Sequence, residues 1–288
     1  MRHATSLRIG PVAFRVGADW RTPIALLDSL YAGHPRVAGD PADFTVRLQA
    51  ARPWRRLVRP AVRIAGDLTL PDAAPLPLSL GLLAAEMGMN LQVALGLRRY
   101  LLIHAATVER GGCALLMTGE SGAGKSTLAA LLMARGWRLM GDEFALIDPA
   151  SGLVHAFPRL VSLKNESVAE VAGALPEGRW GPLLRDTPKG DIRHLVPDAR
   201  ALAAMDVPAR PALLLFPRFG AATAERRMLP GETFVRLTQA STNYVAMGEP
   251  GFDALIGLVR RVSVRAIDYP DTATALASVE RLWGTLAA

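Results

Sequence analysis

The segment Gly119-Glu120-Ser121-Gly122-Ala123-Gly124-Lys125-Ser126 constrains this chain more than any other. It fits the pattern G-x-x-x-x-G-K-[ST] in full. Its flanks fit too: the apolar run from Cys113 to Thr118 precedes it, and a helical pattern from Lys125 to Arg135 follows it and ends at Gly136. A strand, a glycine-rich turn and a helix in that order make a phosphate-binding loop. Gly119, Gly122 and Gly124 permit backbone conformations that other residues resist, so successive N–H groups point inward and form an anion nest. The helix start adds the positive end of its dipole. In such a loop Lys125 reaches the β and γ phosphates, and Ser126, followed by Thr127, offers a hydroxyl to Mg2+. The plain alternative is a glycine-rich turn without a ligand.

The acid pair Asp142-Glu143 follows Lys125 by 17 residues, at the expected end of the strand after the loop's helix. In an open α/β sheet ligands gather at the carboxyl ends of strands, so this position sets carboxylates beside the phosphates. One acid can hold Mg2+ and the other can take the proton of an incoming hydroxyl. An ordinary acidic turn is the competing reading. His104 precedes the loop by 15 residues; if 101–108 and 113–118 form a hairpin across Gly111-Gly112, it lies beside the same sheet end. A satisfied core histidine explains it equally well. Cys113 reads as a core residue of the apolar strand.

Half of the 288 residues are hydrophobic and a fifth are charged, which excludes a disordered or fibrous chain. One cysteine excludes a disulfide framework and a cysteine-rich zinc site. The net charge of +7 is uneven: residues 1–110 hold 14 Arg against 8 acids, and six of those Arg fall between Arg47 and Arg63. This stretch reads as a solvated face or as a site for an anionic partner; sparse aromatics and the lack of a nucleic-acid module disfavour nucleic acid. No apolar signal core opens the chain, and the apolar stretch from Leu80 to Leu97 contains Glu86, Asn90 and Gln92, so a buried helix is expected there and not a membrane span. A cytoplasmic protein follows as the expectation.

Along the chain, 6–16 reads as strand, Gly-Pro turn and strand. Pro23 to Tyr31 and Leu78 to Leu97 read as helices, Asp43 to Leu48 and Val62 to Leu70 as strands, and Pro71 to Pro77 as a connection. The expected division is a β-rich region over 1–98, ending in a helix, and a phosphate-loop domain over 99–288, within an α/β class.

The segments Ile103-His104-Ala-Ala, Gly119 to Thr127 and Arg135 to Glu143 together resemble the HPr kinase/phosphorylase superfamily. The chain looks closer still to the HPr-kinase-related kinase A branch, through Glu86-Met-Gly-Met-Asn90, Pro158 to Asn165, Thr187-Pro-Lys-Gly190 with His194, and Asn243-Tyr244. The shared core spans about 100–270. The resemblance implies a compact phosphate-loop core related to that of phosphoenolpyruvate carboxykinase, and ATP- and Mg2+-dependent phosphoryl transfer to a serine hydroxyl. By the family pattern, His104 is the histidine before the loop, Asp142 the general base and Glu143 a metal-holding acid, with Asp142 and Ser126 also at the metal. The family's usual Asp-Asp is Asp-Glu here. The Arg-Gly-x-Gly signature of true HPr kinases is missing after the pair, and residues 1–90 do not show their N-terminal domain. HPr recognition, the reverse phosphorylase reaction and hexamer assembly are therefore not implied. Related kinases of this branch occur in gene clusters that make or modify peptides, which by association implies a peptide or small-protein substrate.

Of the 33 basic residues only Lys125, Lys164 and Lys189 are lysines. A second cation near the γ-phosphate would speed transfer, and Lys164, then Lys189, are the candidates; ordinary surface lysines are the alternative. Three further functional readings stay open: a small-metabolite kinase, a nucleotide-binding accessory protein that hands over a peptide, and nucleic-acid binding through the Arg cluster. Homo-oligomerisation and the identity of the acceptor are open as well.

Overall fold

Apolar alternation broken by Gly10-Pro11 produces the first hairpin, β1 (His3–Ile9) and β2 (Val12–Ala18), in register from His3 with Ala18 to Ile9 with Val12. The computed structural model describes residues 2–37, 41–68 and 73–287. Helix α1 (Arg21–Leu30) follows, then β3 (Phe44–Ala50), a short 3-10 turn (Pro53–Arg56), β4 (Ala61–Gly66) and β5 (Leu76–Pro77). These strands form one sheet in the order β1-β2-β3-β4-β5, with β2 and β3 parallel. The strand expected over Val62 to Leu70 stops at Gly66. Beyond it Asp67 turns its carboxylate back onto the Thr45 N–H at 2.6 Å and takes the place of a ladder bond. Leu70, at the end of that strand, and the start of the connection expected from Pro71 lie outside the described residues.

Helix α2 (Gly81–Gly96), with the turn before it, makes a 19-residue stretch of mean hydropathy 1.3, long and apolar enough to cross a membrane. It is instead packed inside the protein: 61% of that window is buried, and Leu82, Ala85, Met89 and Val93 join the core against β3, β4 and α1. Gln92 bonds both the N–H and the C=O of Leu68, at 2.9 and 2.7 Å, which satisfies a polar side chain on a buried face.

The rest of the chain runs β6 (Leu101–Arg110), β7 (Cys113–Thr118), α3 (Lys125–Ala134), β8 (Arg138–Ile147), β9 (Val154–His155), β10 (Val161–Lys164), α4 (Glu166–Ala174), β11 (Trp180–Thr187), β12 (Gly190–Leu195), α5 (Ala199–Ala203), β13 (Arg210–Phe219), β14 (Ala224–Arg227), α6 (Pro230–Ala240), α7 (Tyr244–Met247), α8 (Glu249–Arg261), β15 (Ser263–Tyr269) and α9 (Thr272–Ala287). A seven-stranded mixed sheet runs β14-β15-β13-β7-β6-β8-β9, and a small antiparallel sheet runs β10-β12-β11. The class is α/β. Strands β7, β13 and β15 are mutually parallel, whereas β6 is antiparallel to both β7 and β8. One face of the large sheet buries α3 and α9 with Trp137 and Tyr269; the other buries α6 and α8 with Leu237 and Leu255.

The N-terminal sheet is not isolated from this core. Phe14, Leu48 and Met89 share one apolar cluster with Leu102, Phe144, Phe157 and Val196. A buried ion pair lies where they meet: Arg159 Nη2 contacts Glu86 Oε2 at 2.6 Å, with Tyr31 Oη 3.2 Å from the same carboxylate oxygen and Asn90 accepting from Arg159 Nη1. Asn243 ties the entry of β6: its amide donates to Leu97 and Tyr100 carbonyls at 2.9 and 2.7 Å, and its Oδ1 accepts from the Leu102 N–H at 2.9 Å. Cys113, expected in the core, is only half-buried. It opens β7 next to the Gly111-Gly112 turn, where the Arg210 guanidinium lies 3.4 Å from its Sγ.

Candidate active site

The phosphate-type loop leaves β7 at Thr118 and enters α3 at Lys125. Gly119, Gly122 and Gly124 have φ of 150°, 86° and 86°, the region a Cβ disfavours. Gly124 is also pressed from outside. A Cβ there would sit 2.5 Å from the Tyr269 hydroxyl, which donates to the Ala123 carbonyl at 2.8 Å from the end of β15. Lys125 is buried and folds back over the loop, donating to the carbonyls of Gly119 and Glu120 at 2.7 and 2.8 Å. Glu120 and Ser121 are exposed on the loop's outer side, and Ser126 and Thr127 are half-buried on the first helical turn.

The acid pair lies inside β8, not at the end of a strand as the sequence reading has it. The reason is the antiparallel β6, which carries β8 alongside it past the end of β7. Thr118 of β7 pairs with Ala105 of β6, and Ala105 pairs with Glu143 of β8, so loop and acids share one row of the sheet. A bulge precedes the pair, because Thr107 faces Gly141 while Val108 faces Leu139, leaving Met140 extra. Such a bulge re-aims the side chains that follow it.

Asp142 is buried. Its Oδ2 accepts from the Ser162 N–H at 3.1 Å, and the Ser126 hydroxyl is near enough to favour its charged form. Burial, reinforced by the charge of Glu143, pushes its carboxyl up to about 7, against the pull of Ser126, the Ser162 N–H and Lys125. Burial lowers the Lys125 ammonium, as does the charge of Lys164, while Asp142 and Glu143 act the other way. His104 lies with its Nδ1 3.5 Å from Glu143 Oε2, and its carbonyl accepts from the Thr118 hydroxyl at 2.8 Å. Burial lowers its pKa, Glu143 raises it, and Lys125 and Lys189 lower it.

Lys125, Ser126, Asp142, Glu143 and His104 thus gather at one place, with Lys164 within electrostatic range of Lys125 and Lys189 within range of His104. Lys164 ends β10, two residues past Ser162. Lys189 stands on the β11–β12 turn, which Thr187 locks by donating to the Gly190 carbonyl at 2.5 Å and accepting from the Lys189 N–H at 3.1 Å. Asn165, at φ 49°, links the two segments by accepting from the Asp191 N–H at 3.1 Å. Arg193 and His194 lie elsewhere. Arg193 stacks on Trp180 at 5.2 Å, and His194 is buried on the side of Glu86 and Arg159. Sequence reasoning missed Tyr269 and the Ser162 N–H. The latter lies in a segment already singled out, but nothing local to residue 269 points to a loop 146 positions away.

The site offers hard oxygen donors from Ser126, Asp142 and Glu143, and no group of three or more His, Cys, Asp or Glu suited to a metal cage occurs among the described residues. That donor set fits Mg2+, which keeps waters and phosphates in its shell and takes one or two carboxylates. The left-handed glycines and the buried lysine fit a polyphosphate.

No family model and no curated protein sequence matches the chain. Among solved structures it is similar to the Hpr(Ser) kinase/phosphatase from Coxiella burnetii, at 17% identity over 64% of this chain and 98% of that one, with a TM-score of 0.30. An overlap of that size assigns no activity, and the chemistry rests on the site itself.

Proposed function

We propose that this protein is an ATP-dependent kinase that transfers the γ-phosphate to a serine or similar hydroxyl of a protein or peptide. The observation that carries this reading is Asp142: a buried carboxyl held by the Ser162 N–H, pushed up to about 7, and close enough to the loop for Ser126 and Lys125 to act on it. A group that only bound nucleotide would not need a base poised near neutrality.

The loop's N–H groups and Lys125 hold the β and γ phosphates. Ser126 and Glu143, with Asp142, would hold Mg2+, which would supply positive charge to offset that of the phosphates. Asp142 accepts the proton of the incoming hydroxyl as its oxygen bonds to phosphorus, and the bond to the β-phosphate oxygen breaks. Lys164 and Lys189 steady the charge spread over the equatorial oxygens. His104 orients Glu143 across their 3.5 Å contact. The test is incubation of purified protein with labelled ATP and hydroxyl-bearing peptides. Transfer lost in both Lys125→Ala and Asp142→Asn is the expected result; transfer at the wild-type rate in Asp142→Asn removes that residue from the base role.

A further inference from the structure

Outside the active site, the structure gives the Arg47–Arg63 cluster a definite form. A cleft of about 580 Å3 is lined by Arg52, Trp54, Arg55 and Arg59, with Ala51, Ala61, Pro75 and Pro77 completing its walls. The 3-10 turn forms one wall and the proline-flanked edge strand β5 the other. We infer that this cleft docks an acidic peptide segment carrying an apolar side chain.

Three observations support that occupant. First, charge: among the described residues no acid lines the cleft, and none of the six arginines from Arg47 to Arg63 meets a carboxylate. Some arginines elsewhere are paired, as with Arg110 and Glu280, Arg138 and Glu109, or Arg226 and Glu232, and others are not; what sets this stretch apart is that Arg52, Arg55 and Arg59 crowd one cleft. Second, apolar exposure: Trp54 in the cleft wall is 57% exposed, and Leu57 and Val58, just past the turn and outside the lining, are 85% and 63% exposed. Large apolar groups beside unpaired arginines mark contact surfaces, and Trp and Arg carry most interface energy. Third, backbone strain: Arg59 sits at φ 45° and its carbonyl accepts from Arg55 Nη1 at 3.1 Å. A non-glycine residue held there stores strain that recurs at binding sites.

Concavity decides between partners. Arg52, Arg55 and Arg59 line a cleft of pocket size, whereas an anionic bilayer is met by a convex face or a long amphipathic helix, and the helical piece here has four residues. Single-stranded nucleic acid calls for a series of stacking rings, and this cleft presents one, Trp54. The inference is independent of phosphoryl transfer and stands or falls on binding alone.

The experiment is fluorescence anisotropy on the full chain. The probe is a fluorescein-labelled dodecapeptide in which six Glu or Asp residues surround two Leu. The control has Gln and Asn in place of the acids. Binding of the acidic probe with at least tenfold preference over the control is expected, falling at least tenfold between 50 and 300 mM NaCl. Arg52→Gln, Arg55→Gln and Arg59→Gln combined should weaken it at least tenfold, and Trp54→Ala several-fold, with ATP binding and Tm unchanged. Equal affinity for the two peptides, no binding below 1 mM, or no effect of the triple substitution would overturn the inference. So would tighter, Arg-dependent capture on phosphatidylserine vesicles or on a 20-nucleotide poly-dT.

Discussion

Asp142→Asn separates function from stability at a single atom. Ionising Asp142 in the folded protein is opposed by burial and by Glu143, which raise its carboxyl from the ordinary 3.8 to about 7. That gap corresponds to about 4 kcal/mol of destabilisation once the group is ionised in both folded and unfolded states. The folded value lies above the unfolded one, so the folded protein holds the proton more tightly. The penalty is absent below about pH 4, grows as pH rises, and is complete above about pH 7. Asparagine keeps the shape and the acceptor for the Ser162 N–H and removes the charge. Its amide must still settle against Ser126, so only part of the penalty is recovered, about 1–3 kcal/mol. For a chain of this size that raises Tm by roughly 2–6 °C at pH 8. Scanning calorimetry of wild type and variant from pH 5 to pH 8 is the assay. The margin should shrink as pH falls, while phosphoryl transfer drops by about 10²–10⁴. A variant less stable than wild type at pH 8, or a margin equal at pH 5 and pH 8, refutes the account of a strained carboxylate. In the wild type, transfer should rise with pH as Asp142 loses its proton, because the base must be deprotonated.

Gly124→Ala puts a methyl 2.5 Å from the Tyr269 hydroxyl at a φ of 86°, and should remove ATP binding by calorimetric titration and lower stability by about 1–3 kcal/mol. Lys164→Met should lower kcat about 10²-fold with ATP affinity little changed, which single-turnover kinetics would resolve. Glu86→Ala leaves Arg159 charged and buried without its carboxylate, and urea unfolding should register a loss of about 3–5 kcal/mol; replacing both partners with Met should be milder than the single change.

How much of the site was legible in the sequence depends on how far apart its parts lie along the chain. The loop was legible because its requirements are local: glycines where φ turns positive, a lysine and serine at a helix start, a strand just before. The hairpin that brings His104 to the loop followed from Gly111-Gly112 in the same way. The setting of the acid pair was not legible, since a bulge at Met140 and the antiparallel course of β6 both depend on strand pairing.

The sequence by itself determined which groups are available: an anion nest, a pair of carboxylates, three lysines in a chain that otherwise writes arginine. Those are matters of residue type and short spacing. Only the tertiary structure decided what the groups became. It buried Asp142 beside Glu143 and so raised its carboxyl, braced Gly124 with a hydroxyl from residue 269, and brought Lys164 within the field of Lys125 and Lys189 within that of His104. It also set Arg52, Arg55 and Arg59 on one cleft. The physical reason is that proton affinity, strain and charge pairing depend on what surrounds an atom in space, and in this chain those neighbours come from strands far apart in sequence.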